Sequence, residues 1–313
     1  MRAAVIKNEQ LVVEERPDPV AADGEVLVHV RAAGLNGADI MQAAGRYPPP
    51  AGVPADIPGM ELAGEIVARG PRAERFEVGD RVMAIVGGGA QAELCAVHER
   101  MLMAVPEGID WPEAGGFPEV FITAHDAVFT QAALQAGERL LVHGAAGGVG
   151  TAAVQLGRIA GARVTATVRH PDHRDAVAAL GATVIAPEGF GGHGPFDVVL
   201  ELVGAINLAE NLTSLETGGR LAVIGTGAGA TAEINLGLLM MKRARIHGST
   251  LRARPLELKA LATRAVERSV LPALAAADIK VPIADTFSLD RVAEAYDRFR
   301  AGGKFGKIVL VND

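Results

Sequence analysis

Residues 139–150 read RLLVHGAAGGVG, an apolar run followed at once by a glycine-rich turn. The apolar run is typical of a buried parallel strand, and a helical pattern from Thr151 to Ala160 begins directly after the turn. Further apolar runs then alternate with helical stretches as far as the strand pattern Arg220 to Ile224. Because buried strands that alternate with helices form parallel sheets, the centre of the chain is predicted to be a doubly wound α/β domain.

The first third of the chain has a different pattern. Short β-branched runs, separated by turns and not by helices, predict strands at Val5–Ile6, Val12–Val13, Val26–Val30, Leu62–Val67, Arg81–Val86 and Ala92–Val97. Such a series predicts a small barrel or sandwich. The tail from Pro255 adds two helical stretches and a last strand, Lys307–Val311.

These patterns predict two domains. A β-rich catalytic domain is expected from residues 1–118 and 262–313, and a nucleotide-binding domain from residues 119–261, with the active site in the cleft between them. The helical stretch Ala124 to Ala136 is expected to open the nucleotide-binding domain, and strands are expected at Arg163–Val168, Thr183–Ile185 and Asp197–Glu201.

Composition excludes several classes of protein. The 313 residues are 49% hydrophobic and 21% charged, which is the balance of a globular protein. The net charge of −7 argues against nucleic acid as a partner, and the single Cys95 excludes every multi-cysteine metal site and fits a reducing cytoplasm. Lys7 and Glu9 interrupt any secretion signal, and no run is apolar enough to predict a membrane span.

The glycine-rich turn predicts dinucleotide binding. Ala145, Gly147 and Gly150 have the spacing of the G-x-G-x-x-G fingerprint, with Ala at its first position and Gly148 and Val149 inside it. Small residues allow a tight turn, a close approach of the backbone to a pyrophosphate and close packing of helix on strand. The backbone N–H groups at the helix N-terminus would then bind the pyrophosphate.

The end of the second predicted strand favours NADP(H) over NAD. An NAD-binding domain is expected to place Asp or Glu there to accept from the ribose hydroxyl. This chain has Arg169 there instead, with His173 and Arg174 close behind, and cations suit the 2′-phosphate of NADP. The other interpretation is a solvated helix start, which Asp172 could cap.

Several motifs resemble one family from end to end. They are GLNGAD (34–39), GRYPPP (45–50), PGME (58–61), FEVGDRVM (76–83), HGSTLR (247–252) and GKIVL (306–310). Together with the glycine turn, they resemble the zinc-independent quinone oxidoreductases of the medium-chain dehydrogenase/reductase superfamily, in the zeta-crystallin-like and tumour-suppressor-inducible branch. The resemblance implies a GroES-like β-rich catalytic domain beside a Rossmann nucleotide-binding domain.

The resemblance also implies a catalytic site without metal. Zinc alcohol dehydrogenases of the superfamily have Cys where this chain has Asn36 and His where it has Met60, and neither replacement is a usual Zn²⁺ ligand. Without a Lewis acid, the expected acceptor is a quinone or an activated alkene, because conjugation spreads the developing charge. The expected reaction is hydride transfer from NADPH to a quinone, with the product anion protonated by water.

The resemblance assigns roles to individual residues. Asn36 and Tyr47 match pocket residues that would donate to a quinone oxygen, although Asn36 is also typical of a turn and Tyr47 could anchor a loop. Thr123 matches a residue beside the nicotinamide, with helix capping as the alternative. Gly225 and Thr226 would pass beside the cofactor.

The remaining matches are less specific. Lys307 matches a near-terminal lysine of the family and is assigned to the cofactor, with a solvated strand end as its alternative. Asp39 is expected to pair or cap near the pocket, and Glu61 to be a buried acid bonded to backbone or arginine. Cys95 and the histidines are expected to be structural. A tyrosine of many relatives near the adenosine is missing at Ile185–Phe190, so the adenine end must be held differently.

Two alternatives to quinone reduction remain. An NADPH-dependent enone or 2-alkenal reductase uses the same hydride but needs a proton donor, for which Tyr47 is the candidate. A crystallin-like protein could instead bind NADPH without turnover, and some such relatives bind RNA, which the acidic charge opposes. A homodimer is expected through the predicted edge strand at 244–250.

Overall fold

The computed structural model describes residues 1–312, which divide into two compact units. The first unit comprises residues 1–122 and 251–312, and the second comprises Thr123–Thr250. Residues 251–261, which the sequence pattern placed with the nucleotide-binding domain, thus lie in the first unit. The reason lies in contacts with residues that are remote in the chain: Arg252 donates to the backbone oxygen of Gly87, and the following helix packs against a strand of that unit.

The strands, in chain order, are β1 (Arg2–Lys7), β2 (Gln10–Glu15), β3 (Glu25–Gly34), β4 (Glu61–Arg69), β5 (Arg81–Ile85), β6 (Leu94–His98), β7 (Leu102–Ala104), β8 (Arg139–Val142), β9 (Arg163–Thr167), β10 (Thr183–Ile185), β11 (Phe196–Glu201), β12 (Leu215–Val223), β13 (Arg245–Gly248), β14 (Ile283–Ser288) and β15 (Lys307–Val311). The α-helices are α1 (Gly37–Ala43), α2 (Trp111–Gly116), α3 (Pro118–His125), α4 (Gly148–Ile159), α5 (Arg174–Ala178), α6 (Leu208–Ser214), α7 (Leu236–Lys242), α8 (Leu256–Ser269), α9 (Leu271–Ala275) and α10 (Val292–Arg300).

The first unit is built around a mixed sheet with the strand order β14-β15-β3-β4-β5-β7, and β6 also pairs with β3. The long strand β3 is central because it pairs with β4, β6 and β15. Its alternate residues Val26, Val28, Val30 and Ala32 are fully buried, which is the period of a strand with one face on a core. The six strands predicted in this third of the chain are confirmed. Strands β7 and β14 were not predicted.

Helix α10 closes one side of this unit. Its residues Val292, Ala295 and Tyr296 are buried at helical spacing and pack with Leu35 and Ile308 in one hydrophobic cluster. Leu35 and Ile308 lie beside two residues of the candidate site, Asn36 and Lys307. This cluster therefore fixes the ends of the segments that carry the site.

The second unit contains a parallel sheet with the strand order β10-β9-β8-β11-β12-β13. The prediction of a doubly wound parallel sheet is confirmed. The chain order reverses between β8 and β11, which makes the carboxyl ends of these two strands the topological switch point where such sheets bind ligands. The glycine-rich turn follows β8 and therefore lies at that point.

One local feature of the second unit differs from the pattern, and another agrees with it. The predicted helix from Ala124 to Ala136 is instead the end of α3 followed by a π-helical segment, Asp126–Gln131. The predicted edge strand is confirmed as β13, which pairs only with β12 among the strands of residues 1–312. Within these residues, no helix combines the length and the apolar character that crossing a membrane requires.

Candidate functional site

Asn36 and Asp39 organise the turn that follows β3. Asn36 is the residue before α1, and its backbone N–H donates to Asp39 Oδ2 at 2.8 Å. Asp39 Oδ1 accepts from the backbone N–H of Gly59 at 3.0 Å. The expected capping role of Asp39 is confirmed. Burial raises the pKa of its carboxyl to about 6, although the two backbone donors act in the opposite direction.

A buried lysine–glutamate pair lies beside this turn. Lys307 and Glu61 are 2% and 0% exposed, and Lys307 Nζ lies 2.6 Å from Glu61 Oε1. The ammonium also donates to Leu35 O and to Asn36 Oδ1, each at 2.7 Å. Glu61 Oε2 accepts from the backbone N–H of Glu119 at 2.8 Å. All three N–H donors of the lysine thus have acceptors within the protein.

The same lysine and glutamate also form hydrogen bonds with the side-chain amide of Asn36. Its Nδ2 group donates to Glu61 Oε1 at 2.9 Å and to Gly34 O at 3.3 Å, and its Oδ1 accepts from Lys307. The amide is therefore bonded to protein groups on both sides, and the longest of its bonds is the one to Gly34. Glu61 is bonded to backbone as expected, but its cationic partner is a lysine and not an arginine.

Lys307 lies at the start of β15 in the first unit, and the alternative of a solvated strand end is wrong because the side chain is buried. Its role as a cofactor-binding residue stays a prediction. The observed bonds give it a different task, which is to hold Asn36 and to neutralise Glu61. A buried charge without such a partner would be costly.

Tyr47 lies half-buried on the loop after α1, and its hydroxyl makes no hydrogen bond within residues 1–312. Arg252, 5% exposed, donates to Tyr47 O at 3.2 Å and places its guanidinium 5.1 Å from the centre of the Tyr47 ring. Burial raises the pKa of the Tyr47 phenol, while the charge of Arg252 lowers it. Sequence reasoning did not assign Arg252, although the arginine closes the motif HGSTLR.

In the glycine turn of the second unit, Gly150 and Gly147 differ in whether the fold leaves room for a side chain. A Cβ on Gly150 would lie 2.6 Å from Ala145 Cα, so close packing of the turn on α4 requires glycine there. A Cβ on Gly147 would meet only Gly144 O at 3.5 Å, and the backbone of Gly147 is extended with a negative φ. No contact within residues 1–312 therefore requires glycine at 147, whereas a pyrophosphate approaching the backbone would.

The N-terminus of α4 offers the groups that such a ligand needs. Gly147 precedes the helix and supplies no side-chain cap, so the N–H groups of Gly148 and Val149 have no partner within the helix. These groups and the positive end of the helix favour an anion. The turn, with the buried Ala145 at its start, fits the pyrophosphate of a dinucleotide.

Two arginines that form no ion pair within residues 1–312 follow β9. Arg169 is exposed, and its one side-chain hydrogen bond within residues 1–312 is a long 3.4 Å contact with His170 Nε2. Arg174 donates to Val168 O at 3.3 Å and forms no ion pair within the same residues. His173 lies between them in the chain. The predicted Arg169, His173 and Arg174 thus follow the second strand closely, and neither arginine forms an ion pair within residues 1–312.

A buried network that was not predicted supports the turn. His143 contacts Thr167 Oγ1 at 3.1 Å and Asn211 Oδ1 at 2.8 Å, and Thr167 Oγ1 also accepts from Gly144 N. Burial lowers the pKa of His143, so the imidazole is neutral at pH 7. Glu201 accepts from Asn211 Nδ2 at 2.7 Å and from two backbone N–H groups after β11. The expected structural role of the histidines is confirmed for His143.

The remaining predicted residues also have definite places. Thr123 is the sixth residue of α3, so the alternative of a helix cap at that position is wrong. A Cβ on Gly225 would lie 2.1 Å from Leu202 O, which explains this glycine by backbone packing after β12. Thr226 follows it and accepts from Gly229 N. Cys95 is buried, and burial raises the pKa of its thiol to about 12.

Known proteins share both units. Residues 22–132 match the family model of the alcohol dehydrogenase GroES-like domain, and residues 148–267 match that of zinc-binding dehydrogenases. The human quinone oxidoreductase is 31% identical over 311 residues, which cover 94% of this chain and 91% of that protein.

Solved structures agree with these matches. An alcohol dehydrogenase superfamily protein from Novosphingobium aromaticivorans is 30% identical, with a TM-score of 0.89 over the full length of both chains. A mycobacterial protein complexed with NADPH is 25% identical, with a TM-score of 0.88 over the full length of both chains. The chain belongs to the medium-chain dehydrogenase/reductase superfamily, in the group of the quinone oxidoreductases, and is an oxidoreductase.

Proposed function

We propose that this oxidoreductase transfers a hydride from NADPH to a quinone without a catalytic metal. The observation that carries the proposal is the buried cluster of Lys307, Glu61 and Asn36. Zinc enzymes of the superfamily have Cys and His where this chain has Asn36 and Met60. Here the Asn36 amide and the Glu61 carboxylate are bonded to an ammonium, so these residues do not fit a zinc ion.

The preference for NADPH is proposed from the cations after β9. Arg169 offers a planar fork to the 2′-phosphate, with His173 and Arg174 beside it in the chain. The backbone from Gly147 to Gly150 would hold the pyrophosphate. We assign the binding of the nicotinamide end of NADPH to Thr123, Gly225 and Thr226. We propose that Lys307 affects the site indirectly, through its hydrogen bond to Asn36. The relatives named quinone oxidoreductase support the proposal.

The Tyr47 hydroxyl of the first unit indicates how a quinone would be bound and activated. Bound NADPH supplies the hydride. The Tyr47 hydroxyl, which has no acceptor within residues 1–312, donates a hydrogen bond to the quinone oxygen on which negative charge develops. We assign Asn36, which is 8% exposed and whose amide is held by Lys307, to the wall of the same acceptor site. Water protonates the product anion.

A second candidate is the reduction of an enone or 2-alkenal. The same hydroxyl of Tyr47 favours it, because a phenol without an internal partner is able to give its proton to the α-carbon. The two reactions differ in their need for that proton. Hydride transfer to a quinone gives a hydroquinone anion without it, whereas an enone becomes a saturated ketone only when its α-carbon receives the proton.

Oxidation of NADPH against matched panels of quinones and enones separates the candidates. We expect quinone reduction by the wild-type protein, and a Tyr47→Phe variant that loses roughly 100-fold in kcat with a quinone, as on removal of an oxyanion donor. Reduction of enones alone, abolished in that variant, would support the second candidate. Binding of NADPH with no turnover of either panel would overturn both.

We also propose a homodimer through the second unit. The edge strand β13 leaves one row of backbone groups without a strand partner within residues 1–312, and α7 exposes Leu236, Met240 and Met241 by 62%, 76% and 72%. A second copy would cover both features. Light scattering at micromolar concentration is expected to give twice the chain mass, and a monomer mass would contradict it.

A further inference from the structure

Arg252 is a buried cation that has no carboxylate partner within residues 1–312. Its guanidinium donates to three neutral acceptors: Gly87 O at 2.8 Å, Tyr47 O at 3.2 Å and Gln42 Oε1. Burial lowers the pKa of Arg252, with Asp39, Tyr47 and Glu119 as the groups that act against this effect. An arginine side chain is mostly exposed or paired in proteins, so a burial of this kind requires an explanation.

Two contacts of Arg252 are made with one residue, Tyr47. One contact binds the backbone oxygen of Tyr47, and the other places the cation 5.1 Å from the centre of the Tyr47 ring, within the range of a cation–π interaction. The bonds to Gly87 and Gln42 fix the guanidinium itself. The backbone and the ring of Tyr47 are therefore held by the same side chain, while the Tyr47 hydroxyl keeps no partner of its own.

We propose that Arg252 is a positioning residue for Tyr47, which holds the phenol in place and acts with its charge, through the phenol, on the oxygen of the substrate. This inference rests on the proposed function of Tyr47. As negative charge grows on a quinone oxygen, the hydrogen bond from the hydroxyl strengthens, and a nearby cation favours the shift of negative charge towards the phenol oxygen.

The chain allows a direct test of this link, since it has only two tyrosines. Tyr296 is fully buried, and burial raises its pKa far above the ordinary range, so Tyr47 is the tyrosine that titrates in the native protein. The groups that face Tyr47 are Arg252, which lowers its pKa, and Glu119, which raises it. Ultraviolet absorbance of tyrosinate after a rapid pH jump reports this titration, with Tyr47→Phe as the blank.

The variants are Arg252→Met, Arg252→Lys and the control Arg46→Met, which removes an exposed cation next to Tyr47 in the chain. We expect Arg252→Met to move the tyrosinate midpoint upward, because the charge that lowers the pKa of Tyr47 is removed. Its kcat with a quinone should fall on the order of 10- to 100-fold, with the NADPH dissociation constant unchanged. Arg252→Lys keeps the charge and is expected to keep most of the midpoint, and Arg46→Met should change neither quantity.

Two results would overturn the proposal. An unchanged midpoint in both Arg252 variants, with a folded circular dichroism spectrum, would leave the arginine a structural residue. A shifted midpoint with unchanged kcat would separate Arg252 from the reaction. If the wild-type protein reduces no quinone, the proposed function fails, whereas the titration still decides whether Arg252 governs Tyr47.

Discussion

Two cations of the molecule, one in each unit, have opposite surroundings. In the first unit, the ammonium of Lys307 is buried and every one of its donors has an acceptor in the protein. In the second unit, Arg169 stands in solvent after β9, with no carboxylate partner within residues 1–312. The contrast separates a charge that the fold uses for itself from a charge that is available to a ligand.

The surroundings of a cation indicate whether it stabilises the fold or is available to a ligand. A buried ion pair holds neighbouring side chains, and its loss shows in stability. An exposed cation adds little to stability, and its loss shows in ligand binding.

The largest effect is expected at the buried pair. Lys307→Met leaves the Glu61 carboxylate buried without its cation and should lower the free energy of unfolding by about 3–5 kcal/mol. Urea denaturation measures it. The control Lys7→Met removes an exposed lysine from its pair with Glu14 and should cost less than about 1 kcal/mol. The double variant Lys307→Met/Glu61→Gln should recover part of the loss. Equal effects of the two lysine variants would contradict the assignment.

Asp39 sharpens the contrast because its partners are backbone N–H groups and not a cation. The folded carboxyl has a pKa of about 6 against the ordinary 3.8, so the folded state binds the proton more tightly. Its contribution to stability is complete below pH 4 and is lost as the pH rises through 6, a change of about 3 kcal/mol. The difference in unfolding free energy between wild type and Asp39→Asn should shrink by this amount from pH 4 to pH 7. A difference that is constant or grows would be inconsistent with this pKa.

Arg169→Ala tests the available cation. Loss of a charged hydrogen bond to the 2′-phosphate should lower kcat/KM for NADPH roughly 10- to 100-fold, because such bonds contribute about 1.5–3 kcal/mol. The value for NADH and the unfolding free energy should stay unchanged. Arg163→Ala is the matched control at the opposite end of β9, where the side chain bonds Gly137 O. An equal loss with both coenzymes would remove Arg169 from the recognition of the 2′-phosphate.

The smallest change is a methyl group on Gly147. Gly147→Ala should weaken NADPH binding by roughly tenfold through a clash with the pyrophosphate, at nearly unchanged stability, since its Cβ meets no protein atom closer than 3.5 Å. Gly150→Ala should instead destabilise the protein by about 1–3 kcal/mol. Gly192→Ala, whose Cβ meets open space, is the control for both. Unchanged NADPH affinity in Gly147→Ala would place the pyrophosphate elsewhere.

Much of the fold could be predicted from the sequence because local patterns decide it. The apolar strand 139–142, the glycine turn and α4 follow one another in the chain, so their order is visible without the structure. Strands β7 and β14 and the π-helical segment Asp126–Gln131 were missed, since none of them has a distinct apolar period. The start of α8 was placed in the second unit for another reason. Its packing partners in the first unit are remote in the chain, and a local pattern does not reveal them.

The site was predictable only residue by residue. Motifs indicated Asn36, Tyr47 and Lys307, but the bond between Lys307 and Asn36 joins residues 271 positions apart. Arg252 and Tyr47 are separated by 205 positions. Pattern reasoning has no access to such contacts, and for that reason Lys307 was assigned to the cofactor and Arg252 was given no role.

The most direct test of metal-independent, NADPH-dependent quinone reduction uses protein from which metals have been removed exhaustively by chelation. It measures the reduction of ortho- and para-quinones by NADPH and by NADH. We predict activity that chelation leaves unchanged, with kcat/KM for NADPH at least roughly tenfold above that for NADH, since one charged contact contributes about 1.5–3 kcal/mol. Activity that chelation abolishes and zinc restores would contradict the assignment of Lys307, Glu61 and Asn36. Equal or higher activity with NADH would contradict that of Arg169.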